Sequence, residues 1–133
     1  MTPPRTRGQR GITTVEVVLT APALLLMLML IIQFGLVAHA RSVARSAAED
    51  GAAKARVFNG SATTAEAATN TELDDLGPTI IANRSVEVSR TDTTATVTVT
   101  GTVISLVPGL SFDVHETSSG PVERFVPQPG TTP

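Results

Sequence analysis

Cysteine, tryptophan and tyrosine are absent from the 133-residue sequence, and phenylalanine occurs only four times. Without cysteine the chain can form no disulfide, no thiol redox motif and no cysteine-ligated zinc site. The polar part of the chain is rich in threonine, serine, alanine, glycine and proline, so it can build only a thin hydrophobic core. The composition therefore predicts a small fold without covalent cross-links.

Histidine is also scarce, and neither His39 nor His115 accompanies a serine or cysteine nucleophile motif. His115 has Asp113 and Glu116 as neighbours on a predicted strand, but alternation sends adjacent strand residues to opposite faces. A net charge of −2 with scattered arginines forms no basic stripe for nucleic acid. We therefore expect no enzyme, no cofactor, no small-molecule substrate and no nucleic-acid partner.

Three acidic residues lie close together in the sequence and are a candidate metal site: Glu72, Asp74 and Asp75. It has no glycine-turned calcium loop and no histidine nearby, which calcium and transition-metal sites respectively require. We therefore expect a solvated face and no metal.

The longest uncharged run covers residues 17–38. As a helix these 22 residues would extend about 33 Å, enough to cross a hydrocarbon core of about 30 Å. Thirteen of them are Leu, Ile, Val or Phe, which together favour insertion by about 6 kcal/mol. Pro22 falls in the first turns, where a missing N–H costs least, and lipid tolerates Gly35. The run predicts a transmembrane helix.

The flanks of this run predict its orientation. Arg5, Arg7 and Arg10 precede it in a short tail without acids, whereas a long polar segment follows Ala40. Short basic tails stay in the cytoplasm and long polar domains are readily translocated. We therefore expect a single-pass protein with its N-terminus inside and its C-terminal domain outside.

A cleaved signal peptide is the alternative to this anchor. Ala38-His39-Ala40 matches an A-x-A cleavage site and follows an arginine-bearing start. However, the apolar run is longer than the about 7–15 residues of a signal peptide core, and the Ala-rich residues after Ala40 favour continued helix instead of a cleavable loop. The transmembrane reading is therefore favoured.

The order of features from residue 10 to residue 56 resembles the TadE-like (TadE/TadG) proteins of the tight-adherence, or Flp, pilus system. Members of that family show R-G-x-x-x-V-E, a proline some six residues later, a leucine-rich run, an aromatic-glycine pair and an alanine-rich helix. The matching positions are Gly11, Val15, Glu16, Pro22, Phe34, Gly35 and residues 48–52.

The resemblance implies a membrane-anchored, pseudopilin-like component of a tight-adherence pilus assembly or secretion system in the bacterial cell membrane. Its implied partners are other pilin-like or TadE-like subunits, the pilus assembly machinery and a prepilin peptidase. It also implies a processing motif at Gly11, Ile12 and Glu16, with cleavage after Gly11. The competing hypothesis is a secreted or anchored extracytoplasmic binding domain whose signal peptide is cleaved after Ala40.

The position of Glu16 at the start of the apolar run has two interpretations. It can be an interfacial acid near the positive end of the helix dipole, which stabilises an acid by about 0.3–1 kcal/mol. In a processed pilin-like subunit it would instead pair with the new amino group of Ile12 on a neighbouring subunit.

Small residues recur at four-residue spacing beyond the apolar run, at Ala40, Ala44, Ala48 and Ala52. They form one smooth helix face that the chain's own sheet or the helices of other subunits can approach closely. We favour the sheet. Together with Pro22, Phe34 and Gly35, these alanines are the candidate helix-packing residues.

The rest of the chain predicts a second helix and a sheet. Thr63 and Glu66 form a capping box for a helix over residues 64–76, which Gly77-Pro78 ends. Alternating apolar residues predict antiparallel strands at residues 85–89, 95–104 and 111–116, with a fourth segment at 122–125. The third strand follows a Pro108-Gly109 turn.

The predicted fold class is therefore α+β: a long N-terminal transmembrane helix continuing into an Ala-rich helix, followed by a small antiparallel sheet of three to four strands. The segments are a basic cytoplasmic leader (1–11), the transmembrane helix (12–40), its Ala-rich extension (41–57), a small extracytoplasmic α+β domain (58–126) and a disordered tail (127–133).

Overall fold

The computed structural model describes residues 10–124, with side chains from Thr14 onward. Its elements are α1 (Arg10–Arg56), α2 (Ala62–Leu76), β1 (Ile81–Arg90), β2 (Thr94–Val103) and β3 (Phe112–Pro121). The predicted α+β class is confirmed. The interpretations of residues 1–9 as leader and of residues 127–133 as disordered tail concern residues outside the described part.

Helix α1 contains 47 residues without a break, which corresponds to about 70 Å. The predicted continuation of the apolar run into the Ala-rich segment is therefore confirmed. The helix ends where Asn59 adopts a positive φ of 64° and the Gly60 N–H donates to the Val57 carbonyl at 2.8 Å. Asparagine accepts such a conformation with little strain, which explains the stop.

Helix α2 begins earlier than the predicted capping box. Its N-cap is Ser61, whose hydroxyl accepts a hydrogen bond from the Thr64 N–H at 3.1 Å. The predicted cap at Thr63 is wrong, because Ser61 already satisfies the Thr64 N–H and Thr63 lies inside the first turn. The predicted end at residue 76 is confirmed, and there the Gly77 N–H donates to the Leu73 carbonyl at 3.1 Å.

The three strands of the described chain form one antiparallel sheet in the order β1-β2-β3. The predicted hairpin is confirmed, with its turn closed by the Thr91 N–H donating to the Thr94 carbonyl at 2.8 Å. The predicted turn at Pro108-Gly109 is confirmed as well. The Leu110 N–H donates to the Val107 carbonyl at 3.2 Å, and Gly109 has a φ of 84°, as the third residue of a type II turn requires.

Strand β3 runs to Pro121, beyond the predicted end at residue 116, because it pairs with β2 along the full length of that strand. The fourth segment predicted at residues 122–125 is not a strand where the structure describes it, up to Arg124. Instead, the Val122 N–H donates to the Thr93 carbonyl and the Glu123 N–H to the Arg56 carbonyl. The first bond fastens the chain to the turn between β1 and β2, and the second fastens it to the far end of α1.

The core lies between α1 and the inner face of the sheet, and α2 packs beside them. Val97, Val99 and Val103 are buried on one face of β2, as the alternating pattern predicts. The residues opposite them on α1 are mostly alanines, so the helix and the sheet approach closely and a core with few aromatics suffices.

Candidate functional site

The first half of α1, residues 14–32, is covered by no other part of the described chain. All its side chains are exposed except that of Met29, which is half-buried. The large apolar side chains exposed there include Leu24, Leu25, Leu26, Leu28, Ile31 and Ile32. Among the described residues, one helix is long and apolar enough to cross a membrane, and it is this one. An exposed apolar surface of this length is typical of a helix that is surrounded by lipid.

The second half of α1 has the opposite pattern, because its small side chains are buried. Ala40, Ala44, Ala48 and Ala52 are all at most 1% exposed, and they belong to the same core cluster as the valines of β2. The structure thus places this face against the chain's own sheet. Arg45 and Glu49, which lie on the opposite face of the helix, pair in solvent at 2.9 Å.

Helix α2 packs closely against the second half of α1 at Gly51. A Cβ atom at this position would lie 1.9 Å from Thr69 Oγ1 and 3.3 Å from the Ala65 carbonyl oxygen. Thr69 is itself buried and donates its hydroxyl to that carbonyl at 2.8 Å. Glycine is therefore required at position 51 for α2 to pack where it does.

Gln33 marks the boundary between the two halves and was missed as a site residue by the sequence reasoning. Its side chain is fully buried, its Nε2 donates to the Ile104 carbonyl at 3.1 Å, and its Oε1 accepts from the Leu106 N–H at 2.7 Å. The only signal in the sequence was a polar residue in an apolar run, and its partners lie more than 70 positions further along the chain. Gln33 joins the helix to the β2–β3 loop, residues 104–111.

The other predicted packing residues lie outside the core. Pro22 lies on the exposed half, and Gly35 has nothing within 4 Å of a hypothetical Cβ. Phe34 is 61% exposed, with its ring centroid 6.1 Å from that of Phe112. The structure therefore separates the predicted set into four buried alanines and three exposed residues.

The predicted processing motif lies at the free end of α1. Glu16 is exposed, and Gly11 and Ile12 belong to the helix but precede the described side chains. Of these residues, Glu16 has a described side chain, and it lies on the same uncovered segment as the apolar run.

The ionisable residues of the domain form no obvious centre. Asp74 pairs with Arg84 of β1. Asp113 and His115 share the outer face of the sheet, where Asp113 accepts a hydrogen bond from Thr102. The expectation that strand alternation separates His115 from its acidic neighbours is therefore wrong for Asp113, because residues two apart on a strand lie on the same face. Among the described residues, no three His, Asp or Glu side chains come together in a way that could hold a metal ion.

The far end of α1 is closed by polar contacts. The Arg90 guanidinium donates to the Ala55 carbonyl at 2.8 Å, and the Glu123 N–H donates to the Arg56 carbonyl at 2.9 Å. These donors satisfy carbonyls that the end of a helix leaves unpaired. A shallow groove nearby is lined mainly by polar and charged residues, including Asn59, Asp92 and Arg124.

The comparisons with known proteins bear on α1. A family model described as TadE-like protein matches residues 11–53. The match covers the exposed half, Gln33 and all four alanines of the buried face, and it ends before α2 and the sheet begin. No curated protein and no solved structure matches the chain. Over most of its first helix, the chain is therefore similar to TadE-like proteins.

Proposed function

We propose that this protein is a membrane-anchored, pseudopilin-like component of a tight-adherence pilus assembly or secretion system. The TadE-like match supports involvement in pilus assembly, a structural and not an enzymatic role. The observation that carries the proposal is that α1 belongs to two different surroundings. Its first half is uncovered and apolar, while its second half supplies part of the core of the domain. One helix thus serves as anchor and as scaffold.

Packing of the domain argues against the signal-peptide alternative. Cleavage after Ala40 would remove Gln33, Val37 and Ala40, all of which are buried in the domain. Large-to-small changes in a core already cost about 2–5 kcal/mol, and removing whole residues would cost more. A protein released by that cleavage would lose part of its own core.

N-terminal sequencing of the mature protein from the membrane fraction distinguishes the hypotheses. A start at Ile12 supports a processed pseudopilin-like subunit, and an uncut N-terminus supports an unprocessed anchor. A start at Arg41, with the protein in the soluble fraction, would overturn the proposed anchor.

We propose an N-inside, C-outside orientation, which the arginines before the apolar run support. A reporter that is active only outside the cytoplasm should be active when fused after Phe125 and inactive when fused before Arg10. The reverse pattern would contradict the orientation and would leave the membrane anchor intact.

For Glu16 we propose a role in assembly. Cleavage after Gly11 would create a cationic amine on Ile12, and Glu16 of a neighbouring subunit could neutralise it where water is scarce and charge pairing is strong. The exposure of Glu16 on the uncovered half of α1 leaves it available to such a neighbour. An unpaired carboxylate at that depth would cost up to about 3 kcal/mol, by analogy with charges near a helix centre, so pairing would favour assembly.

The test compares Glu16→Ala with Glu49→Ala, a matched change of an exposed glutamate on the domain. Glu16→Ala should insert normally but reduce co-purification with pilus components, whereas Glu49→Ala should reduce neither. Gly11→Leu should block processing but not insertion. Unchanged co-purification and filament output of Glu16→Ala would show that the carboxylate is only an interfacial acid.

A further inference from the structure

We propose that the β2–β3 loop, residues 104–111, docks into the lipid interface beside the membrane-spanning half of α1. The inference rests on the membrane anchor in the proposed function and is independent of the pilus role. The occupant of this surface is the bilayer that α1 crosses, at the boundary between its acyl chains and its headgroups.

The depth of the loop follows from its attachment to Gln33. If the hydrocarbon region begins just after Glu16, about 20 helical residues cross its thickness of about 30 Å and bring the far boundary near Leu36. Gln33, which holds the Ile104 carbonyl and the Leu106 N–H, lies within one turn of that boundary. The loop is thereby held at the level where acyl chains meet headgroups.

The surface of the loop suits that level. Ile104, Leu106 and Leu110 are each at least 40% exposed, and Phe34 projects from α1 at the same height as Gln33. Residues 104–112 contain no ionisable side chain, and neither do residues 17–38 of the helix. Two chain segments distant in sequence therefore meet in one apolar, uncharged surface that continues the surface of the span.

Part of the backbone of the loop is hydrogen-bonded within the protein. The N–H groups of Ile104, Leu106 and Leu110 donate to Ile80, Gln33 and Val107 respectively. Pro108 has no N–H, and the Ser105 hydroxyl donates to the Val107 carbonyl at 2.8 Å. Non-helical backbone near lipid requires internal hydrogen bonds of this kind.

The experiment uses the absence of cysteine, which allows a single environment-sensitive fluorophore to be attached. Leu106→Cys and Leu110→Cys carry it on the loop. Val57→Cys is the matched control, because Val57 is 44% exposed against 43% for Leu106 but follows the far end of α1, about 35 Å along the helix from Gln33. Each labelled full-length protein is reconstituted in phosphatidylethanolamine and phosphatidylglycerol vesicles, with its fold checked by circular dichroism.

The expected result is blue-shifted emission from both loop positions, quenching by lipids with brominated acyl chains, and water-like, unquenched emission from position 57. Water-like emission from the loop in protein that floats with the vesicles would overturn this proposal and leave the anchor standing. Blue-shifted emission without bromolipid quenching would overturn it in favour of a protein partner or a second copy. Protein that does not float with vesicles would overturn the anchor and the docking together.

Discussion

The two halves of α1 differ in which side chains they expose. Residues 14–32 present leucine, isoleucine, valine and methionine outward, whereas residues 33–56 bury alanine and keep their charged residues in solvent. In a water-soluble domain the large apolar side chains would be inside, because burying each one contributes about 1.5–3 kcal/mol. The first half reverses that rule, and the comparison locates where the surroundings of the helix change.

The size of the side chains explains what each half can pack against. Alanine and Gly51 let the sheet and α2 come close to the helix backbone, so a core of valines needs no bulky residues on α1. Large side chains on the first half would hold a protein partner further away, but they interdigitate readily with acyl chains. Gln33 lies where the large exposed side chains end and the small buried ones begin.

The largest effect should come from making the first half of α1 charged. Leu25→Arg/Leu28→Arg places two cations in the apolar run, and each costs about 2.5–3.5 kcal/mol at the helix centre. Together they cancel the insertion free energy of about 6 kcal/mol that favours the bilayer. The doubly substituted protein should be extracted by a carbonate wash that leaves the original protein in the membrane fraction.

The matched control for this change is Val57→Arg/Leu76→Arg, which alters two exposed apolar residues of the domain. This variant should stay in the membrane fraction. Carbonate resistance of the Leu25→Arg/Leu28→Arg variant would contradict the assignment of residues 14–32 to lipid.

A second prediction contrasts the two halves through their glycines. Gly51→Leu forces a side chain into the contact with Thr69 and Ala65 and should lower the free energy of unfolding of the domain by about 3 kcal/mol. Gly35→Leu meets open space and should leave it unchanged or slightly higher, because leucine favours a helix. Urea unfolding in mild detergent, followed by circular dichroism, measures both; equal effects would show that α2 does not pack closely at Gly51.

The third prediction concerns the boundary residue. Gln33→Ala removes the hydrogen-bond partner of the Leu106 N–H and of the Ile104 carbonyl. Leaving these groups unpaired should lower the free energy of unfolding by about 1–3 kcal/mol. Hydrogen exchange at the Leu106 amide should accelerate by about 10- to 100-fold. Asn70→Ala, which removes an exposed hydrogen bond within α2, is the control and should leave Leu106 unaffected. Unchanged exchange at Leu106 in Gln33→Ala would mean that the loop holds its position without Gln33.

The smallest effect is expected on the solvent face of the second half. The hydrogen bond from Arg45 to Glu49, followed by the charge of Glu49, raises the pKa of Arg45. A raised arginine pKa stabilises the fold at all pH values below it, so this contribution is lost only in strongly alkaline solution. Arg45→Gln should therefore leave the unfolding midpoint near neutral pH almost unchanged, and added salt should remove any residual difference. A clear shift that persists in high salt would show that Arg45 stabilises the domain by more than a screened surface ion pair.

Local patterns were sufficient to predict most of the fold. The four-residue spacing of alanines, the alternation of Val97 and Val99 and the uncharged run each report on contacts within one element. The missed features depend on contacts between elements. The burial of Gln33 is explained only by its hydrogen bonds to Ile104 and Leu106. The end of β3 has no apolar alternation, so its strand conformation is explained only by its pairing with β2.

The candidate site was less predictable than the fold for the same reason. The sequence identified Glu16 and the alanine face from their spacing along one helix. It could not show that Phe34 and residues 104–110 share a surface, since a bend of the chain some 70 residues later creates it. Family resemblance covers residues 11–53 and is silent on that loop.

The continuity of α1 also has a mechanical consequence. Residues 14–32 continue without a linker into the part of α1 that packs against the sheet. Hydrogen bonds of Gln33 and Arg90 hold the two ends of that packed part. A push or twist applied to the sheet is passed to the first half of α1 through the backbone hydrogen bonds of the helix, which are interrupted at Pro22 because proline has no N–H. Turning or lifting the domain therefore also displaces the helical turns next to Gln33.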